Sequence, residues 1–68
     1  MSIYTEVLEP GHAAARDFAV HQTLASANAW LKLKLSESGN RRGRFYGKDL
    51  TLHEIKALKK LGPVESLP

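Results

Sequence analysis

Residues 12–35, HAAARDFAVHQTLASANAWLKLKL, decide which fold the sequence predicts. The stretch has no proline or glycine and is rich in alanine and leucine, which favour helix. Its apolar residues at helical spacing are Ala14, Phe18, Val20, Leu24, Ala27, Leu31 and Leu35. One unbroken helix of this length would be roughly 36 Å long, which is long for so small a domain. We therefore expect a break near residues 21–23, with Thr23 as the N-cap of a second helix.

The end of this stretch has two interpretations. Residues 30–35, WLKLKL, alternate strictly between apolar and polar, as a half-buried strand would. Alanine, leucine and lysine nevertheless favour helix, so we predict helix here. The alternative is a hairpin in which residues 31–35 and 44–48 are strands joined by the polar turn at 36–40.

A further helix is predicted over residues 51–61. Thr51 and Glu54 match a capping box, in which each side chain satisfies a free backbone N–H at the helix start. Gly62 suits the position after the helix, and Pro63 prevents its continuation. The apolar face of this helix is formed by Leu52, Ile55, Leu58 and Leu61.

The chain of 68 residues is predicted to be one small domain, 1–68, that is mainly α. We expect two to three helices and a short β-hairpin or wing near residues 44–48, which could pair with residues 3–8. Residues 1–10 are predicted to be an extended arm or strand, and residues 63–68 a flexible tail. The residues expected to form the core are Phe18, Val20, Leu24, Trp30, Leu31, Leu35, Phe45, Leu50, Leu52, Ile55, Leu58 and Leu61.

Composition limits the classes of protein that remain. There is no cysteine, so neither a disulfide nor a thiolate metal site can stabilise the fold. No apolar run approaches the roughly 20 residues of a membrane span, and the first residues do not resemble a signal peptide, so we expect a cytoplasmic protein. A chain this short buries only about 60% of its unfolded surface, which makes a homodimer a reasonable expectation.

Charge is divided unevenly along the chain. Residues 1–31 have one cation and three acids, whereas residues 32–68 have nine cations and four acids. Such asymmetry suggests that one surface meets an anionic partner. The alternative is a solvated surface that keeps a small protein soluble.

The most basic segment is NRRGRFYGK, residues 40–48, which sets four cations beside two adjacent aromatic residues. Its cations could contact phosphates while Tyr46 or Phe45 stacks on a base or sugar. In the alternative interpretation the segment is a solvated loop that Phe45 anchors to the core. The candidate nucleic-acid or partner-binding residues are Arg41, Arg42, Arg44, Tyr46, Lys48, Lys56, Lys59 and Lys60.

Two stretches carry a family resemblance. Residues 14–23 with 29–32 resemble the helix-turn-helix of small DNA-binding regulators, and residues 43–50 are similar to the wing of excisionase- and MerR-like winged domains. The resemblance implies that the second helix enters the major groove and that the basic wing touches the backbone or minor groove. Residues 14–32 also fit an alanine-rich helical hairpin with Trp30 in its core.

Catalytic and metal-binding patterns are absent from the sequence. His12, His21 and His53 lie far apart, and no serine has the context of a nucleophile. We therefore predict no enzymatic activity and no cofactor. The first functional hypothesis is a small DNA-binding regulator or accessory protein, and the alternative is a protein-interaction module, an inhibitor or adaptor. Either would suit a phage or mobile element.

Overall fold

The structure is a computed structural model that describes residues 1–12, 14, 17–37 and 41–67. The described residues form one four-stranded sheet and two helices. In chain order the elements are β1 (Ile3–Leu8), β2 (Asp17–His21), α1 (Leu24–Glu37), β3 (Arg42–Tyr46), α2 (Leu52–Lys59) and β4 (Val64–Ser66). The strand order across the sheet is β2-β1-β3-β4. β1 is antiparallel to both neighbours, and β3 is parallel to β4.

The prediction of a mainly α fold is wrong, and the error lies in Asp17–His21. This segment is a strand whose residues pair with β1, from Val7 opposite Asp17 to Ile3 opposite His21. Phe18 and Val20 are good strand formers, and pairing with a neighbouring strand outweighs the helical preference of the alanines around them. The protein is therefore a small α/β domain, in which residues 17–21, expected to be helical, form a strand.

The expected helix start at Thr23 is confirmed. The Ser26 N–H donates to Thr23 Oγ1 at 3.1 Å, and the Ala27 N–H donates to the Thr23 carbonyl at 3.2 Å. α1 continues to Glu37, so the helical interpretation of residues 31–35 is confirmed and the hairpin between 31–35 and 44–48 is wrong. The basic segment does contain a strand, β3. This strand pairs with β1, so the expected pairing with residues 3–8 is confirmed.

The capping box at the start of α2 is confirmed. The Glu54 N–H donates to Thr51 Oγ1 at 3.2 Å, and the Thr51 N–H donates to Glu54 Oε1 at 2.9 Å. After the helix, Gly62 has φ +144°, a backbone conformation that side chains disfavour, and this turns the chain back toward the sheet. Val64–Ser66, within the segment expected to be a tail, forms β4 beside β3.

Both described helices pack on one face of the sheet, and the core lies between. Its buried members are Ile3, Val7, Ala27, Leu31, Phe45, Leu58 and Val64. The opposite face, which we call the open face, carries the alternate side chains of the strands, since successive side chains point to opposite sides. Three expected core residues are instead exposed: Phe18 and Val20 lie on the open face, and Leu52 lies at the solvent side of the first turn of α2. Within the described chain, no helix is both long and apolar enough to span a bilayer.

Candidate nucleic-acid interface

The basic segment is divided between the two faces of the sheet by the alternation of β3. Gly43 and Phe45 are buried on the helix-covered face, where Phe45 is a central core residue. Arg42, Arg44 and Tyr46 lie on the open face, because they pair with Leu8, Glu6 and Tyr4 of β1. Of the two aromatic residues, only Tyr46 is therefore available to a ligand.

Arg41 has an internal role. Its side chain is only 12% exposed, and its Nη2 atom lies 2.6 Å from Glu9 Oε1. Its Nη1 atom lies 3.5 Å from Glu37 Oε1 and 3.8 Å from Asp17 Oδ2, and it donates to the Lys34 carbonyl at 3.2 Å. The hydrogen bond to Glu9 is the main cause of a raised pKa for Arg41. Its charge is balanced by the protein's own acids, and it links the end of β1 to β2 and α1.

Arg44 also has an internal partner. It forms an ion pair with Glu6, whose side chain is only 7% exposed. The Tyr4 hydroxyl donates to Glu6 Oε1 at 2.7 Å, and this hydrogen bond is the main cause of a raised pKa for Tyr4. Arg44 therefore compensates a buried carboxylate near the middle of the open face, and only part of its charge is available to an external anion.

Among the described residues of the basic segment, the cations that remain available are Arg42 and Lys48. Both are exposed, and within the described residues neither makes an ion pair. Tyr46 lies between them along the chain, is 45% exposed, and shares the open face with Arg42 at a distance of roughly 13 Å along the strand. Lys48 follows in a turn that the Leu50 N–H closes by donating to the Gly47 carbonyl at 3.2 Å. We call Arg42, Tyr46 and Lys48 the β3 site.

The three lysines of the second helix lie elsewhere. Lys56, Lys59 and Lys60 are exposed on or just after α2, which buries Leu58 against the helix-covered face. That face is opposite to the side chains of Arg42 and Tyr46. The candidate cations therefore lie on both sides of the sheet.

An exposed apolar surface that the sequence assigned to the core lies on β2. Phe18 is 69% exposed and Val20 is 63% exposed. The ring of Phe18 stacks beside that of Tyr4, with centroids 6.5 Å apart and planes 29° apart. We call Tyr4, Phe18 and Val20 the edge patch. The strand preference of Phe18 and Val20 is the signal that could have identified β2.

His21, at the end of β2, belongs to a buried polar group. Its Nε2 atom lies 2.7 Å from Thr5 Oγ1 and its Nδ1 atom lies 3.0 Å from Ser26 Oγ, while its ring centroid is 5.8 Å from that of Trp30. Burial lowers the pKa of His21, so the neutral imidazole is favoured. The contacts join β1, β2 and α1, and the described residues form neither a pocket nor a metal-binding cluster around them.

Comparisons with protein-family models, with curated proteins and with solved structures find no match for this chain.

Proposed function

We propose that the protein is a small non-enzymatic nucleic-acid-binding regulator or accessory protein that acts through the β3 site. Arg42 and Lys48 contact phosphates, and Tyr46 stacks on a base between them. The observation that carries the proposal is the combination of two exposed cations without ion-pair partners among the described residues and an exposed aromatic ring between them. The net charge of +3 favours approach to a polyanion.

The geometry favours single-stranded over duplex nucleic acid. Reading a duplex through its major groove requires a protruding helix or β-ribbon. Tyr46 instead lies on the open face of a sheet, and its ring can stack only on a base whose face is not covered by a neighbouring base pair. Single-stranded DNA is therefore the first ligand to test. The absence of cysteine is in keeping with action in the cytoplasm.

Fluorescence anisotropy with a labelled oligothymidine and with a duplex of the same length tests the proposal. Two phosphate contacts on a single strand predict a loss of affinity of roughly sevenfold between 50 and 200 mM salt. The double variant Arg42→Glu/Lys48→Glu should abolish binding. Tyr46→Ala should lower affinity by about 1 to 3 kcal/mol, or fivefold and more, with little change in salt dependence.

A matched control reverses the same number of charges on the opposite surface. Lys56→Glu/Lys59→Glu changes net charge by the same amount as the β3 double variant, so a general electrostatic effect would weaken both equally. Equal losses in the two double variants, or binding unaffected by Arg42→Glu/Lys48→Glu, would disprove the role of the β3 site.

The second candidate function is protein interaction, and the edge patch favours it. Phe18 and Val20 expose neighbouring apolar side chains, and such a patch is typical of a surface that binds another protein. Phe18 and Val20 of this patch lie on β2, at the edge of the sheet, whereas the β3 site begins on an inner strand. The two surfaces can therefore be changed separately.

A further inference from the structure

We propose that β2 pairs in antiparallel orientation with β2 of a second copy of the chain, which joins the two sheets into one. β2 lies at the edge of the sheet, and in the part of the chain that the structure describes it pairs with β1 alone. An edge strand presents backbone N–H and C=O groups that a further strand can bind. The other edge strand, β4, has only three residues, so β2 with five is the better template.

β2 lacks the features with which proteins usually protect an edge. Such protection comes from lysine or proline on the strand, from inward-pointing charges or from bulges. β2 contains no lysine and no proline, and its charged residue, Asp17, is held near Lys34 and Arg41 at 3.9 and 3.8 Å. Its exposed side chains are instead Phe18 and Val20. An exposed edge with apolar side chains of this kind is suited to strand pairing.

The sequence of β2 complements itself about Ala19. A twofold axis at Ala19 sets Phe18 opposite the partner's Val20, and Val20 opposite the partner's Phe18, on the open face. Directly opposite residues in an antiparallel pair have Cβ atoms about 4.5 to 5.5 Å apart, and pairs of an aromatic with a β-branched residue are favourable. One register therefore covers both exposed apolar side chains of each copy.

The same register also brings polar side chains together on the helix-covered side. Asp17 lies opposite the partner's His21, and the two alternate with Phe18 and Val20 along the strand. A register centred on Val20 would instead set Phe18 opposite the partner's Gln22 and leave one apolar pair. Because the Ala19 register is self-complementary, a second copy suits this edge better than an unrelated strand does. A chain of 68 residues has a small core, so the added contacts would increase its stability.

Joining the strands sets the open faces of both copies on the same side of one continuous sheet. The twofold axis of an antiparallel edge pair is perpendicular to the sheet, so the two β3 sites lie on one surface. The pairing itself does not depend on the proposed function, because β3 and its cations take no part in it. It is tested without nucleic acid.

Molar mass in solution is the first test, by light scattering or sedimentation equilibrium over about 1 to 200 μM protein. We expect a concentration-dependent rise toward twice the 7.5 kDa of one chain. Phe18→Lys/Val20→Lys should remain folded, because both side chains are exposed in the single chain, and should remain monomeric. The matched control is Leu33→Lys/Leu52→Lys, which removes two exposed apolar side chains from the helices and should still dimerise.

Engineered cysteine tests the register directly, because the natural chain has none. Ala19→Cys sets two thiols opposite each other at the twofold axis, so mild oxidation should link the copies, whereas Gln22→Cys should link far more slowly. A monomer at every concentration overturns the proposal, as does a dimer that survives Phe18→Lys/Val20→Lys or links faster through Gln22→Cys. Loss of a different protein partner from a monomeric chain on changing Phe18 and Val20 would assign the edge patch to that partner instead.

Discussion

Glu6 and Arg44 lie opposite each other on adjacent strands of the open face, and their side chains form an ion pair. The arginine comes from the most basic segment of the sequence and the acid from the first strand, 38 residues earlier. Glu6 is nearly buried, and its other oxygen accepts a hydrogen bond from Tyr4. Arg44 therefore stabilises the sheet, although the sequence predicted that it contacts a ligand.

Arg44→Gln should destabilise the fold because it leaves the Glu6 carboxylate buried without its counter-charge. Removing one partner of a buried pair costs several kcal/mol, and partial exposure of Arg44 lowers the expected loss to about 2 to 4 kcal/mol. Urea unfolding followed by Trp30 fluorescence measures it. The double variant Glu6→Gln/Arg44→Gln should recover part of the loss. Arg42→Gln, on the same strand and face, should change stability by less than about 0.5 kcal/mol, and an equal effect of the two single variants would contradict the assignment.

Gly43 should not tolerate a side chain, although it lies between two arginines in the most basic segment. A Cβ at this position would lie 3.2 Å from Leu31 Cδ2 and 3.2 Å from Val64 Cγ2. Gly43→Ala should therefore cost about 1 to 3 kcal/mol by overpacking where α1 crosses the sheet. Thermal unfolding of Gly43→Ala, Leu31→Val and the double variant tests this. The double variant should be more stable than the sum of the two losses predicts, and strict additivity would show that the clash is not with Leu31.

The elements that sequence analysis predicted well are those specified by neighbouring residues. Thr23 and Thr51 begin helices because their own side chains accept hydrogen bonds from backbone three residues later. β2 depends instead on pairing with β1, so the spacing of its apolar residues wrongly predicted a helix. Phe18 and Val20 are apolar but exposed, so the same spacing wrongly placed them in the core. The ion pairs of Arg41 and Arg44 could not be predicted from the sequence for the same reason. Their acidic partners Glu9 and Glu6 are 32 and 38 residues away.

His21 should make the fold less stable in mild acid. Burial holds the pKa of His21 below its unfolded value of about 6.5, so as the pH falls below that value the unfolded chain binds a proton that the folded chain resists. The free energy of unfolding should therefore fall as the pH is lowered from about 6.5 to the pKa of His21 in the folded protein. Below that pKa, His21 should cause no further change. The urea midpoint measured between pH 7.5 and 5 tests this. His21→Gln should flatten that dependence, whereas His53→Gln, at an exposed position, should preserve it.

Arg41→Glu should unfold the protein at low salt, and this separates structural from ligand-contacting arginines. The substitution would set a fourth carboxylate beside Glu9, Asp17 and Glu37, where a cation now compensates all three. Because the substitution adds repulsion between partly exposed charges, which salt screens, about 1 M salt should restore part of the stability. Arg42→Glu should leave the unfolding curve unchanged at either salt concentration. Loss of nucleic-acid binding in a variant that changes Arg41 therefore reports unfolding, whereas variants of Arg42, Tyr46 and Lys48 test contact with the ligand. A stable Arg41→Glu variant at low salt would show that its three acidic neighbours do not need the arginine.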